Sequence, residues 1–160
     1  GAQIFTKTVE DPQRYGVVNI KDGKPKEIIE KPDSFISNQA VTGLYIYDKY
    51  ASLLCKSLKP SKRNELEITE LNQLYLNNDD LKCLPLGNSS IWMDAGTFDS
   101  LQDSSNCISS LQKRYGRLVG SPEYEAYKNN IVSKDYLLKI IKNHPKNSYY
   151  TSLEKMLKQD

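Results

Sequence analysis

The first half of the chain alternates short apolar runs with turn residues, at the two-residue period of strands. Residues 15–20 (YGVVNI) are apolar and β-branched, and residues 26–31 (KEIIEK) follow across a KDGKP turn. An Asp-Gly pair accepts the positive φ that two-residue hairpin loops require, so Asp22-Gly23 predicts that the two runs pair as a hairpin. Residues 40–47 (AVTGLYIY) read as a third strand, apolar on both faces and therefore central. Gly43 inside it predicts a bulge or a close backbone approach. Residues 81–86 (LKCLPL) add a short strand, and the chain opens on another apolar segment, for four or five strands in all.

Helical periods take over further along. Asp48 is placed to cap a helix running to about Leu58, before the break at Pro60. Asn64-Glu65-Leu66-Glu67 has the form of a capping box, and Ile68, Leu71 and Leu74 follow at helical spacing. Thr97 opens a helix with Phe98, Leu101, Ile108 and Leu111 on one face. Ser121-Pro122-Glu123 is a cap followed by an N1 proline. Two more periods carry Leu137, Leu138 and Ile141, then Leu153, Met156 and Leu157. Strands first, then alternation, then helices predict an α/β fold with a mixed sheet and a helical C-terminal region. No internal repeat is visible, hexapeptide β-helix repeats included.

Composition narrows the function classes. With 160 residues, 26% charged and 38% apolar, the chain suits one compact folded domain. No run approaches 18 apolar residues and no secretory leader is visible, so no membrane partner is expected. Residues 1–111 hold 12 basic and 15 acidic side chains, and residues 112–160 hold 10 basic and 5 acidic. The late lysines are scattered over polar helix faces, which predicts a solvated surface and no nucleic-acid partner. Cys55, Cys83 and Cys107 form no metal or disulfide spacing, which fits a reducing, cytoplasmic setting. His144 is the only histidine and no nucleophile elbow exists, so a Ser/His/Asp hydrolase is excluded. His144, in a loop before Pro145, reads as a surface residue.

Four clusters can carry chemistry. Tyr15-Gly16 leads into a strand, where glycine lets a ligand approach the backbone. Glu30-Lys31-Pro32 sets an acid beside a base at a strand end. Val41-Thr42-Gly43 lies in the central strand. Trp92-Met93-Asp94-Ala95-Gly96-Thr97 puts an acid and a glycine directly before a helix. Each alone reads equally well as a turn, a solvated pair or an Asx turn.

Taken together and in this order, DPQRYGVV (11–18), EKP (30–32), SNQAVTGLYIYD (37–48), LKPSKRNELEITELN (58–72) and WMDAGT (92–97) resemble the short-form sugar-nucleotide pyrophosphorylases, in particular the glucose-1-phosphate thymidylyltransferases. SPEYEAY (121–127) extends the resemblance toward the end. It implies the C-terminal, sugar-phosphate-binding half of a Rossmann-like nucleotidyltransferase fold, with residues 1–115 in that half and 116–160 as a C-terminal helical region. It implies a reaction of dTTP with glucose 1-phosphate, giving dTDP-glucose and pyrophosphate with Mg²⁺, as in dTDP-rhamnose synthesis. It further implies Asp94 as a metal-binding, catalytic aspartate, and Lys31 and Arg63 as catalytic cations on the sugar's phosphate. Tyr15 and Gly16 fall on the sugar pocket, Glu30 on the carboxylate that accepts sugar hydroxyls, and Val41 and Thr42 on the lining strand. A homotetramer is the oligomer that the resemblance implies.

Departures from the pattern matter as well. The family's Gly-rich nucleotide loop, catalytic lysine and first metal aspartate are not in these residues, so the expectation is a fragment that does not turn over alone. Gly87-Asn88, Lys128 and Tyr124-Glu125 stand where the family has effector-binding residues of other kinds, so end-product inhibition in its usual form is not expected. Two alternatives stay open: a relative using UTP, CTP or ATP, and a non-catalytic sugar-phosphate-binding or interaction module.

Overall fold

A computed structural model describes residues 1–61, 64–144 and 146–160. The chain divides into two compact units, Gly1–Trp92 and Met93–Asp160.

The first unit is built on strands β1 (Ala2–Thr8), β2 (Gly16–Lys21), β3 (Lys24–Glu30), β4 (Gln39–Tyr47) and β5 (Leu81–Pro85). They form one mixed sheet in the order β3-β2-β4-β1-β5, with only β1 and β5 parallel among these pairs. The β2–β3 hairpin closes through Asp22 at φ 53° and Gly23 at φ 72°, the left-handed pair that matches the twist of its strands. Gly43, at φ 81°, sits where the β1–β4 register slips between Ile4 and Thr6, so the bulge read from the sequence is present. β4 is central in order but not covered on both faces. Tyr45 and Tyr47 pack toward the core, while Leu44 and Ile46, pointing the other way, remain 52% and 56% exposed.

The core of this unit joins Ala2, Ile4, Val18, Ile28 and Leu81 of the sheet to Leu71 and Tyr75 of helix α2 (Ile68–Asn77). Helix starts differ from the sequence reading. Asp48 sits two residues ahead of the cap position: its carboxylate accepts the Tyr50 N–H at 2.9 Å besides the Gly1 ammonium and the Tyr75 hydroxyl, and the short helix α1 (Ala51–Cys55) begins after Tyr50. Asn64 is left-handed at φ 60° and Asn64 N–H donates to the Ser61 carbonyl, so α2 begins only at Ile68. Its buried face is Thr69, Leu71, Asn72 and Tyr75, and Ile68 is exposed. Two polar residues are buried here: Thr69 bonds Glu30, and Asn72 Oδ1 accepts from Tyr47 Oη at 2.6 Å, while Asn72 Nδ2 is buried without a hydrogen-bond partner among the described residues.

Tyr45, Tyr47 and Tyr75 stack in succession, with ring centres 5.8 and 5.7 Å apart. Burial, then the Asp48 carboxylate, pushes the Tyr75 phenol up to about 12, and burial raises Tyr47 as well. A phenol raised in the folded state contributes stability that is complete below its unfolded value, about 10, and that is lost as pH climbs through the folded value. The sheet unit is therefore expected to loosen between pH 10 and 12. Circular dichroism recorded beside phenolate absorbance checks this, and Tyr75→Phe should weaken the pH dependence. A flat stability profile through pH 12 would contradict it.

The second unit holds α3 (Phe98–Tyr115), α4 (Pro122–Lys128), α5 (Lys134–Asn143) and α6 (Ser148–Gln159). Thr97 and Ser100 make a reciprocal capping box on α3, and Ser121, Ser133 and Asn147 cap the other three through their side chains. Tyr124, Leu137, Leu153, Met156 and Leu157 form the core. The apolar stripe of α3 has helical spacing, yet no α3 residue is buried and Phe98 is 93% exposed. Among the described residues no helix is long and apolar enough to cross a membrane.

Candidate functional site

Glu30, at the end of β3, lies opposite Gly16, the first residue of β2. Its Oε2 accepts a hydrogen bond from Thr69 Oγ1 at 2.8 Å, and Thr69 is buried in the first turn of α2. The glycine at 16 leaves the carboxylate its place. A Cβ there would stand 2.9 Å from Glu30 Oε2 and 3.3 Å from Thr69 Oγ1. β2, β3 and α2 thus converge to fix one carboxylate oxygen and leave the other available. Tyr45 is near enough that the Glu30 charge adds to burial in keeping its phenol protonated.

Lys31 follows at φ 44°, a left-handed conformation that costs a lysine about 1–2 kcal/mol. Its N–H donates to the Tyr15 carbonyl at 3.0 Å, tying the strand end to the 3-10 turn at Pro12–Arg14. Buried Pro32 then redirects the chain. Strain of this kind is held only where the surroundings over-determine the backbone, and Lys31 is exposed next to Glu30 in the chain. Glu30, Lys31, Ser61, Glu67 and Thr69 line a shared cavity of about 590 Å³, within the usual range for a small-ligand site. Ser61 Oγ donates to Glu67 Oε1 at 2.9 Å on its rim.

Tyr15 packs its ring edge-on against Trp92, with centres 5.1 Å apart and planes at 70°. Trp92 Nε1 donates to the Thr42 carbonyl at 3.0 Å, and Thr42 Oγ1 donates to the Phe5 carbonyl at 3.0 Å. Val41 is half-buried against the core, paired with Thr6. Tyr15 and Thr42 are therefore brought together through Trp92, while Gly16, Glu30 and Lys31 gather at the ends of the hairpin strands. The Thr42 hydroxyl is committed to backbone, so this residue's contribution is to shape the wall.

Asp94 belongs to the second unit, where it is half-buried. A Cβ at Gly96 would come within 3.1 Å of Asp94 Oδ2, so the absence of a side chain at 96 keeps the carboxylate approachable. Among the described residues no three His, Cys, Asp or Glu side chains gather as a metal site. Arg63 lies outside the described residues.

Two residues escaped the reading of the sequence. Thr69 was one of the polar positions inside a helical period, and nothing in that period marks it as a partner of Glu30. Trp92 was noticed only as part of a motif, although it is the single tryptophan of the chain and links Tyr15 to Thr42.

Comparison with known proteins bears on this arrangement. A glucose-1-phosphate thymidylyltransferase of Xanthomonas campestris pv. campestris is 42% identical over 160 residues, 99% of this chain and 54% of that protein. One from Mycolicibacterium smegmatis is 40% identical over 161 residues, 100% of this chain and 56% of that protein. The chain thus spans about half the length of the curated relatives it matches. A solved Bacillus anthracis structure, described as that of a glucose-1-phosphate thymidylyltransferase in complex with a sucrose, superposes with a TM-score of 0.60 at 45% identity. It covers 67% of this chain and 43% of the other. A UDP-glucose pyrophosphorylase complexed with UDP-glucose, 24% identical with a TM-score of 0.59, shares the fold over 68% of this chain and 44% of its own. The nucleotidyl transferase family model matches residues 1–110, a span that holds the whole Glu30 cluster and Asp94, and the chain belongs to that family.

Proposed function

We propose that this chain supplies the sugar-phosphate-binding half of an enzyme that converts dTTP and glucose 1-phosphate to dTDP-glucose and pyrophosphate. The observation that carries the reading is that a fixed carboxylate and a lysine line one cavity: Glu30, held by Thr69, and Lys31, next to it in the chain. A hexose phosphate needs an acceptor for hydroxyl protons and cations for its phosphate, and this pair offers both. Glu30 accepts from sugar hydroxyls, Tyr15 and Gly16 bound the sugar, Val41 and Thr42 form the wall, and Lys31 and Arg63 hold the phosphate.

In the reaction a phosphate oxygen of glucose 1-phosphate attacks the α-phosphorus of dTTP, and the bond to pyrophosphate breaks. The chain's residues act on this step by positioning the nucleophile and offsetting its charge. Asp94 is a hard oxygen donor suited to Mg²⁺, with room at Gly96 for a ligand to approach. Bound there, the ion would neutralise charge on the phosphates; the described residues provide one such carboxylate, and further ligands come from elsewhere. The remaining parts of the proposal are a nucleotide cradle outside these residues, a functional division near residue 115, a homotetrameric assembly and a cytoplasmic location.

Arg63→Ala tests the phosphate assignment. Loss of one cation from a desolvated phosphate site is expected to cost on the order of 2–3 kcal/mol, or about fiftyfold in affinity for glucose 1-phosphate. Affinity for glucose should stay nearly unchanged. Titration calorimetry with both sugars checks this, and equal weakening of the two would make Arg63 a structural residue.

A further inference from the structure

Helix α2 is joined to the sheet by two polar bonds that start from buried residues one helical turn apart. Thr69 donates to Glu30 at the end of β3, and Asn72 accepts from Tyr47 of β4 at 2.6 Å. Residues three apart lie on one face of a helix, so both bonds leave α2 on the same side. Asn72 is only 1% exposed, and its Nδ2 has no hydrogen-bond partner among the described residues.

This asparagine is a poor choice for core stability. A buried amide with an unpaired donor is destabilising, and an apolar side chain here would extend the cluster that holds Leu71 and Tyr75. What apolar contact lacks is direction. A hydrogen bond fixes distance and angle, whereas packed apolar faces let a helix slide and turn slightly. Tyr47 is itself held from both sides, stacked on Tyr45 and on Tyr75, so its hydroxyl is a fixed point on the sheet. Tyr75 donates to Asp48 one turn further on, but the Asp48 side chain is 28% exposed and also takes the Gly1 ammonium and the Tyr50 N–H. The Asn72–Tyr47 bond is the one next to Thr69 along the helix.

We propose that Asn72 is a positioning residue: through Tyr47 it sets the rotation and height of α2 on the sheet, and so keeps Thr69 aimed at the Glu30 carboxylate. Its effect on ligand binding rests on the sugar-phosphate reading; its effect on Glu30 does not.

Tyr47→Phe/Asn72→Leu removes both ends of the bond and leaves no new unpaired group, so the chain should stay folded with its melting temperature unchanged or raised. The Glu30 ¹³Cδ resonance of the labelled full chain should move in the direction it takes in Thr69→Val. Glucose 1-phosphate should bind about threefold more weakly, with inorganic phosphate unaffected. Adding Thr69→Val should bring the total loss to about fivefold, the loss expected of Thr69→Val alone, and not to the roughly fifteenfold of independent effects. Tyr75→Phe, which removes the neighbouring bond to Asp48, should leave both readouts at their wild-type values. A Glu30 resonance that stays in place in the folded double variant, an equal movement in Tyr75→Phe, or fully additive losses would each overturn the proposal. If the double variant does not fold, Tyr47→Phe alone decides, since it removes only the hydroxyl, and an unmoved Glu30 resonance there overturns the proposal equally. A wild-type chain that binds glucose 1-phosphate no better than phosphate would count against the sugar-phosphate reading, with the Glu30 resonance still deciding the role of Asn72.

Discussion

Asp94→Ala is expected to cut dTDP-glucose synthesis about a thousandfold when this chain is combined with a separately produced nucleotide-binding half from a relative. Asp94 stands three residues before the α3 cap, half-buried, with no side chain at Gly96 against its carboxylate. Glucose 1-phosphate binding to this chain alone should stay within twofold. Pyrophosphate release gives the rate, and circular dichroism verifies the fold. An unchanged rate would remove Asp94 from the reaction; a lost fold signal would make it a structural residue.

The second large effect concerns Glu30. Glu30→Ala removes the acceptor that α2 and β2 are arranged around, and should weaken glucose 1-phosphate by about 2 kcal/mol, roughly thirtyfold. Inorganic phosphate should bind as before, because the cations are untouched. Thr69→Val keeps the shape and frees the carboxylate from its donor at 2.8 Å, so it should cost about 1 kcal/mol, or fivefold. If both variants weakened phosphate and sugar phosphate alike, Glu30 would be acting through Lys31 rather than on the sugar.

How much of this could be read from the chain depends on the kind of signal. The hairpin was legible because Asp22-Gly23 states its own turn, and the β4 bulge because a glycine in a strand has few other uses. The α4 helix was legible from its cap and N1 proline, and α5 and α6 from apolar spacing. The start of α2 was not, because Asn64-Glu65-Leu66-Glu67 satisfies a capping pattern while Asn64 turns left-handed over Ser61. Nor was the α1 start, since Asp48 bonds the Tyr50 N–H and the remote Gly1 and Tyr75, and the helix begins only after Tyr50. Hydrophobicity also misjudged faces: β4 is apolar on both sides but covered on one, and α2 buries Thr69 and Asn72 through bonds that no periodicity encodes. At the site, Gly16, Glu30 and Lys31 stood out as local clusters, and their roles came from the resemblance. What the glycine at 16 does became visible only from the structure, where a Cβ would stand 2.9 Å from Glu30 Oε2.

The central claim, that these residues form a sugar-phosphate site, is tested most directly by titrating glucose 1-phosphate into the ¹⁵N-labelled chain. The account predicts saturable shifts at Gly16, Lys31, Val41 and Thr42, much weaker ones with glucose or phosphate alone, and their loss in Glu30→Ala. A folded chain whose amides at these four positions stay still, or shift as much after Glu30→Ala, would contradict it.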